Sequence, residues 1–183
     1  MDKKLILISS IFLFISVFFI FNLSNQKKYK SQNDQLILIN KDEIHKIIIS
    51  AKDDAIELIK NDTLWSISGN DSLKIKENYI NNFIEKIFQL HKKHLVTSKE
   101  INWITYGVNA ENGSHLAFIN NNGETISYFV FGHTKNDYSA CYVKVDKEMD
   151  VYLLDNNIIH QLQTNINYWG EPLIAPSNKE TKN

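Results

Sequence analysis

His91 and His94 are the two side chains whose type and spacing come closest to a metal site. On a helix, this spacing of three places both imidazoles on one face, where they could hold a transition metal for a hydrolytic reaction. A usable site also needs a third ligand and a nearby acid, and Lys92 and Lys93 between the pair oppose a bound cation. A solvated helix end is the favoured interpretation, and a metal-assisted hydrolase is the least favoured of three functional hypotheses.

The other nucleophiles and bases of the chain form no recognisable catalytic motif. Cys141 alternates with Val143 and Val145 along a strand-like run, so we expect a buried small hydrophobic side chain there rather than a nucleophile. His133 follows a strand-like run and is expected to be an exposed turn residue. The sequence contains neither a nucleophile motif near a histidine nor a glycine-rich phosphate loop. It therefore predicts no catalytic residue, no cofactor and no metal site.

Aromatic side chains offer a different chemistry, because tryptophan and tyrosine stack on sugars and fill pockets of partner proteins. We expect Trp103, Tyr106, His133 and Tyr138 to be the residues that contact a partner or ligand. A module that binds cell-wall glycan or another small ligand would have its tryptophans on one exposed face. The chain has three of them: Trp65, Trp103 and Trp169. In a strand-rich domain, however, most aromatic residues belong to the core.

The charge balance argues against nucleic-acid binding. The chain of 183 residues carries a net charge of −1, and all 20 of its basic residues are lysine. Without arginine, no guanidinium group is available for bidentate recognition of phosphate or guanine. Neutralisation of phosphates supplies most of the non-specific affinity of proteins for nucleic acid. We therefore predict that the chain has no nucleic-acid partner.

The segment from Leu5 to Leu23 is apolar and uncharged, which is typical of a membrane anchor. As a helix it would span about 28 Å, close to the roughly 30 Å of a hydrocarbon core. A cleaved signal peptide is the alternative, although no small-x-small cleavage site follows the segment. Lysines lie on both sides, so the positive-inside rule leaves its orientation open. The predicted anchor covers residues 1–23 and includes Leu5, Ile11, Phe14, Phe18 and Phe21.

After the anchor, the sequence predicts a linker, one domain and a tail. Residues 24–35 are polar and lack apolar periodicity, as expected of a juxtamembrane linker. Residues 36–174 are predicted to form the domain, and residues 175–183 a disordered tail. Short β-branched runs predict the first strands, with a tight turn at Asn61-Asp62. These strands are expected at residues 36–39, 46–50, 55–60 and 64–68.

Beyond Lys76, the apolar period changes to that of a helix over residues 77–91, whose buried face would include Phe83. Ser98 is expected to cap a short helical turn over residues 99–105. Asn122-Gly123 is the strongest hairpin signal in the chain. The further strands are predicted at residues 115–121, 124–131, 139–145 and 151–154, and a short helix capped by Asp155 is predicted to follow them.

The run at residues 126–131 is apolar on both faces. Alternation directs Ile126, Tyr128 and Val130 to one side, and Phe129 and Phe131 to the other. The sheet should therefore be covered on both sides, one of them by a second sheet or a partner protein. The predicted fold class is α+β: an N-terminal transmembrane helix followed by a mostly antiparallel β-sheet domain with one long and one or two short packing helices.

In the order of its elements, the chain resembles domain-of-unknown-function family 4340, a set of bacterial envelope proteins often linked to ABC-type transport systems and the gliding-motility auxiliary component. The resemblance covers about residues 36–169, and no single signature carries it. It implies an amino-terminal anchor with the domain outside the cytoplasm, and it supplies no catalytic residue. The segments that carry it are residues 45–49, 56–60, 65–67 and 80–87, Tyr106-Gly107-Val108, Phe129-Val130-Phe131-Gly132, and residues 142–144 and 151–154.

Together, the residues and the resemblance predict a non-enzymatic protein. It would be anchored in the cytoplasmic (inner) membrane by a single span, with its domain on the extracytoplasmic side. Its expected partners are the lipid bilayer and a protein of the envelope, with subunits of an ABC-type transporter as the specific hypothesis. A glycan or small-ligand module is the alternative function, and the hydrolase is the third.

Overall fold

A computed structural model describes residues 34–134 and 138–173, together with Leu13 and residues 15–17, which are helical. All of the linker 24–35 except Asp34 and Gln35 lies outside these ranges, as does the tail 175–183. Within the described part of the chain, no helix has the length and apolar character needed to cross a membrane. The five residues named above as part of the anchor lie outside the described ranges: Leu5, Ile11, Phe14, Phe18 and Phe21.

The centre of the described fold is one large antiparallel sheet. Its strands are β1 (Lys46–Ala51), β2 (Asp54–Asn61), β3 (Leu64–Ile67), β5 (Lys92–Thr97), β6 (Ser114–Ile119), β7 (Thr125–His133), β8 (Cys141–Val145) and β9 (Val151–Leu154). They are arranged in the order β3-β2-β1-β6-β7-β8-β9-β5. A separate two-stranded sheet pairs β4 (Leu73–Ile75) with β10 (Gly170–Pro172). The predicted α+β class with a mostly antiparallel sheet is confirmed.

Helices are few and mostly short. The long one, α1 (Glu77–Phe88), is followed by the single turns α2 (Trp103–Tyr106) and α3 (Ile166–Trp169). Within residues 34–173, three 3-10 turns are also described: Lys41–Glu43, Glu100–Asn102 and Ile159–Gln161. One long and two short α-helices therefore accompany the sheet, as the sequence predicts.

The hairpin turns follow their sequence signals. Asn122-Gly123 connects β6 to β7, and Gly123 has φ of 80°, a left-handed conformation that favours glycine. Asp62, in the turn between β2 and β3, has φ of 53°. Asparagine and aspartate tolerate this region better than most residues, since their side chains bond to nearby backbone. The turns thus set the register of both hairpins.

The main core lies between one face of the sheet and α1. Phe118, Phe129 and Phe131 are fully buried on that face, and Phe83 of α1 packs opposite them. The Phe83 ring meets the ring of Trp169 edge to face, with 5.5 Å between centroids. Burial of each such side chain stabilises the fold by about 1.5–3 kcal/mol, so this layer dominates its stability. The buried residues of α1 are Ile80, Phe83 and Ile87.

The second face of the sheet is covered over β7–β9 by the chain's own residues 98–113. Val130 and Val151 pack there with Val108, in a smaller cluster separate from the main core. Alternation predicts that Ile126 shares this face with Val130. This prediction is wrong, because Ile126 packs against the main core. The register shift between Phe118 and Ile119 explains the difference, because a bulge reverses the alternation of the strand at that point.

Strand β5 is the main element that the sequence pattern does not predict. Helix α1 ends at Phe88 and not at residue 91. The Gln89 and Leu90 amides close the last turn by donating to the Lys86 and Ile87 carbonyls, and from His91 onward the amides have partners outside the helix. The His91 amide donates to Asp155 Oδ1 at 2.9 Å, and the Lys92 amide donates to the Asp34 carbonyl. Strand β5 lies at the edge of the sheet, where polar side chains are tolerated. Its first three residues are Lys92, Lys93 and His94, so this part of the strand shows no apolar alternation.

Three local predictions are wrong in detail. Asp155 caps no helix, because its carboxylate accepts from His91; Asn157 Oδ1 instead accepts from the Ile159 amide at 3.0 Å. Ser98 does not cap the following turn, whose N-cap residue is Lys99 without a side-chain capping bond; the Lys99 amide donates to Thr97 Oγ1 at 3.2 Å. Residues 36–39 form no strand, since only Gln35 bridges to His91 before the chain turns away.

Candidate protein-binding surface

Residues 98–113, here called the cap, cross the second face of the sheet as two short helical turns and a loop. Thr97 Oγ1 holds the start of the cap, accepting from the Asn102 side chain at 2.8 Å as well as from the Lys99 amide. Gly107 ends α2 in a left-handed conformation, with φ of 64°. The cap is therefore fixed at both ends of its helical part.

Gly132 of β7 lies directly under the backbone of the cap. A Cβ atom at this position would overlap the Tyr106 carbonyl and would lie 2.9 Å from the carbonyl carbon of Gly107. Backbone atoms cannot move aside as a flexible side chain can, so only glycine allows this approach. Two of the segments that carry the family resemblance, the Tyr106-Gly107 step and the Phe131-Gly132 strand end, thus meet in space.

Trp103 covers the side chain of Lys144. The Lys144 Nζ lies 4.8 Å from the centroid of the Trp103 ring, and the indole N–H donates to the Met149 carbonyl at 3.2 Å. Lys144 is 7% exposed, and its ammonium group donates to the Asp146 carbonyl. Burial lowers the pKa of Lys144, and nearby carboxylates oppose that effect. The pair ties the cap to β8 and to the β8–β9 turn.

Tyrosine rings fill the rest of the space beneath the cap. Tyr106 meets Tyr142 edge to face, with 4.8 Å between ring centroids. Tyr128 OH lies 2.6 Å from His115 Nδ1, and His115 Nε2 lies 3.0 Å from the Ala110 carbonyl. Burial raises the pKa of Tyr128. His115 thus links the Tyr128 hydroxyl of β7 to the backbone of the cap, which is a structural role.

The outward side of the cap is apolar. Ile101 is 82% exposed, Ile104 is 66% exposed, and Met149 beside Trp103 is 45% exposed. These three residues are called the outer patch below. Exposed isoleucines cost little individually, but two of them one helical turn apart on a rigid support form a surface suited to a partner.

Sequence reasoning missed the outer patch, although a signal was present. Within residues 100–106, Trp103 and Tyr106 form one apolar stripe at a spacing of three, and Ile101 and Ile104 form another. A short helical segment that packs on a single sheet can bury only one stripe. The second stripe is left facing outward.

The structure places the four predicted contact residues on α2, at the end of β7 and in the connection to β8. Trp103 and Tyr106 are half-buried in the cap, with their edges at the surface. His133 is exposed at the end of β7, as expected, one residue beyond the Gly132 contact with the cap. Tyr138 is 86% exposed in the connection to β8, where its carbonyl accepts from the Asn157 side chain at 3.0 Å.

The histidine pair and Cys141 are placed where their chemistry is limited. His91 and His94 lie in extended chain at the start of β5, and His91 Nδ1 lies 3.3 Å from Asp155 Oδ2. Among the described residues, no group of three side chains is arranged to hold a metal ion. Cys141 is fully buried, as predicted, and burial raises its pKa to about 11. A thiol in that state is a poor nucleophile near neutral pH.

The other two tryptophans belong to the main core. Trp65 is 8% exposed and Trp169 is fully buried, with the Trp169 indole N–H donating to the Gln163 carbonyl at 2.7 Å.

Two open depressions of the surface, of about 380 and 370 Å³, lie away from the cap. One is at the start of α1, where its lining includes Tyr79, and the other is beside the β2–β3 turn.

Comparison with known proteins gives one match. The model of a family described as "Domain of unknown function (DUF4340)" matches residues 65–181, more than half of the chain. No curated protein and no solved structure matches the chain. The matched region begins in β3 and includes α1, the cap and the strands on which the cap lies.

Proposed function

Because the chain belongs to the DUF4340 family, we propose that it is a non-enzymatic, membrane-anchored scaffold whose α+β domain binds another protein of the cell envelope. The domain lies on the extracytoplasmic side of the cytoplasmic membrane, held there by residues 1–23. The partners suggested by the sequence resemblance are the membrane subunits of an ABC-type transport system. Anchoring confines both proteins to one membrane and raises their effective concentration, so a small interface is sufficient.

The observation that carries this proposal is the outer patch. Ile101 and Ile104 face solvent while their neighbours Trp103 and Tyr106 pack inward against Lys144 and Tyr142. The inward contacts fix the cap, so the two isoleucines are presented without a large loss of conformational freedom on binding. Preorganised apolar side chains of this kind are typical of protein interfaces.

Three groups that an enzyme could use have structural partners instead. His115 is bonded to Tyr128 and to the Ala110 carbonyl, and Lys144 lies under Trp103. Cys141 lies in the main core, with its Sγ 3.5 Å from the Asn156 carbonyl. This arrangement favours a binding role over a catalytic one.

The glycan-binding alternative has less support. It calls for an exposed row of aromatic side chains, whereas Trp65 and Trp169 contribute to the core. Trp103 remains at the surface, but its indole N–H is bonded to Met149 and its ring lies over Lys144. Because Lys144 lies against one face of the Trp103 ring, less of that ring is available to stack on a sugar.

Co-purification from membranes of the native host tests the proposal. Full-length wild type, the Ile101→Gln/Ile104→Gln variant and a Leu64→Gln control would be extracted under identical conditions. Leu64 is 65% exposed on β3, at the far edge of the sheet, so its variant removes exposed apolar surface away from the cap. We expect one envelope protein to be retained by the wild type and the control and lost by the double variant. Equal retention by all three, or retention of no partner by the wild type, would contradict the proposal.

A further inference from the structure

The outer patch is bordered by carboxylates. Glu100, Asp146 and Glu148 are exposed, and all three act electrostatically on Lys144 under Trp103. Glu100 directly precedes Ile101 in the chain, and Glu148 directly precedes Met149, so these two carboxylates adjoin residues of the outer patch. Since the Lys144 ammonium group is buried and bonded to the Asp146 carbonyl, its positive charge is not offered to the surface.

Basic side chains do not balance this border. In the cap and the β8–β9 turn, the exposed lysines are Lys99 and Lys147. The acidic residues of the same two segments are Glu100, Glu111, Asp146, Glu148 and Asp150. The surface around Ile101 and Ile104 therefore carries an excess of negative charge, which favours a cationic partner and raises its association rate.

We propose that the outer patch binds a segment of a partner protein in which apolar side chains are flanked by lysine or arginine. This inference rests on the proposed function and names the chemistry of the partner. The apolar side chains cover Ile101, Ile104 and Met149, and the cationic groups lie against Glu100, Asp146 and Glu148. An anionic bilayer surface does not fit the same site, because its headgroups would meet the carboxylates first.

Two synthetic peptides of matched length test this charge preference directly. One is an amphipathic helix of leucine and lysine, and the other replaces each lysine with glutamate. Binding would be measured by fluorescence anisotropy to the full-length protein in nanodiscs of zwitterionic lipid, with empty nanodiscs as the blank. We expect the lysine peptide to bind about tenfold more tightly than the glutamate peptide at low salt. Raising the salt from about 50 mM to about 500 mM should reduce this difference, because the exposed charges become screened.

Variants then separate the two contributions to binding. Ile101→Gln/Ile104→Gln removes the apolar contact and keeps the charge, whereas Glu100→Gln/Glu148→Gln does the reverse. Each pair of substitutions should lower the affinity of the protein for the lysine peptide by about fivefold or more. Glu43→Gln/Glu85→Gln removes two exposed carboxylates outside the cap and serves as the control, for which we expect no change.

The outcomes distinguish this inference from the proposed function. Equal binding of both peptides, or no effect of Glu100→Gln/Glu148→Gln, overturns the charge preference. If the native partner is nevertheless lost by the Ile101→Gln/Ile104→Gln variant, the scaffold function stands and only its partner chemistry is wrong. If the wild type retains no native partner, the proposed function fails independently of the peptides.

Discussion

The ammonium nitrogen of Lys144 lies 4.8 Å from the centre of the Trp103 ring, between the cap and the second face of the sheet. A buried lysine normally costs stability because its charge loses hydration. Here the aromatic face and the Asp146 carbonyl compensate part of that loss. The contact explains why the cap is held with its isoleucines outward.

This contact can be measured with a double-mutant cycle. We expect Trp103→Leu and Lys144→Met to be coupled by about 0.5–2 kcal/mol in the free energy of unfolding, since each substitution removes the same cation–π contact. Urea denaturation of the two single variants, the double variant and the wild type gives the coupling. Strict additivity, within about 0.3 kcal/mol, would show that the contact contributes nothing.

Gly132→Ala should displace the cap. The new methyl group would overlap the backbone of Tyr106 and Gly107, so we expect a loss of about 3 kcal/mol in the free energy of unfolding and a weaker near-ultraviolet signal from Trp103. Gly69→Ala is the control. Gly69 has φ of 72° and open space around it, so only backbone strain of about 1–2 kcal/mol applies there. Comparable losses in both variants would argue against the close approach.

Tyr152 should make stability fall in alkaline solution. Burial and the neighbouring Asp150 carboxylate raise the pKa of Tyr152 to about 12. In the unfolded chain the phenol ionises near pH 10, so between about pH 10 and 12 the folded state binds more protons and loses stability as pH rises. Tyr152→Phe removes this contribution. The variant should therefore gain stability relative to the wild type over that range, as measured by denaturation at pH 9 and pH 11. A constant difference between the two proteins would contradict the shifted pKa.

The orientation of the domain can be tested by cysteine labelling of spheroplasts. Asn122→Cys places a thiol in the exposed β6–β7 turn, whereas the native Cys141 is fully buried and its pKa is about 11. A membrane-impermeant maleimide should label the variant in intact spheroplasts and leave the wild type unlabelled until denaturation. Labelling of the variant only after permeabilisation would place the domain in the cytoplasm.

The parts of the fold that were predictable are those with strong local signals. Helix α1 follows from the spacing of Ile80, Phe83 and Ile87, and the β6–β7 hairpin follows from Asn122-Gly123. Strand β5 was not predictable because it lies at the sheet edge, where Lys92 and Lys93 are acceptable and no alternation is required. Its pairing with β9 is fixed by contacts distant in sequence, which local patterns do not carry.

The candidate surface was predictable only in part. The sequence predicts that Trp103 and Tyr106 contact a partner, but their inward packing depends on Gly132 and Lys144, which are distant in sequence. Ile101 and Ile104 were overlooked because apolar residues at helical spacing usually belong to a core. Which of the two apolar stripes is buried depends on how the cap packs on the sheet beneath it.

The most direct test of the scaffold function is site-specific crosslinking in living cells of the native host. A photoreactive amino acid would replace Ile104 in the full-length protein, with a second version carrying it at Leu64 as the control. We predict that Ile104 yields one crosslinked envelope protein, the same one that co-purifies with the wild type, and that Leu64 yields none of it. Crosslinking of that protein equally from both positions, or from neither, would contradict a partner bound at the cap.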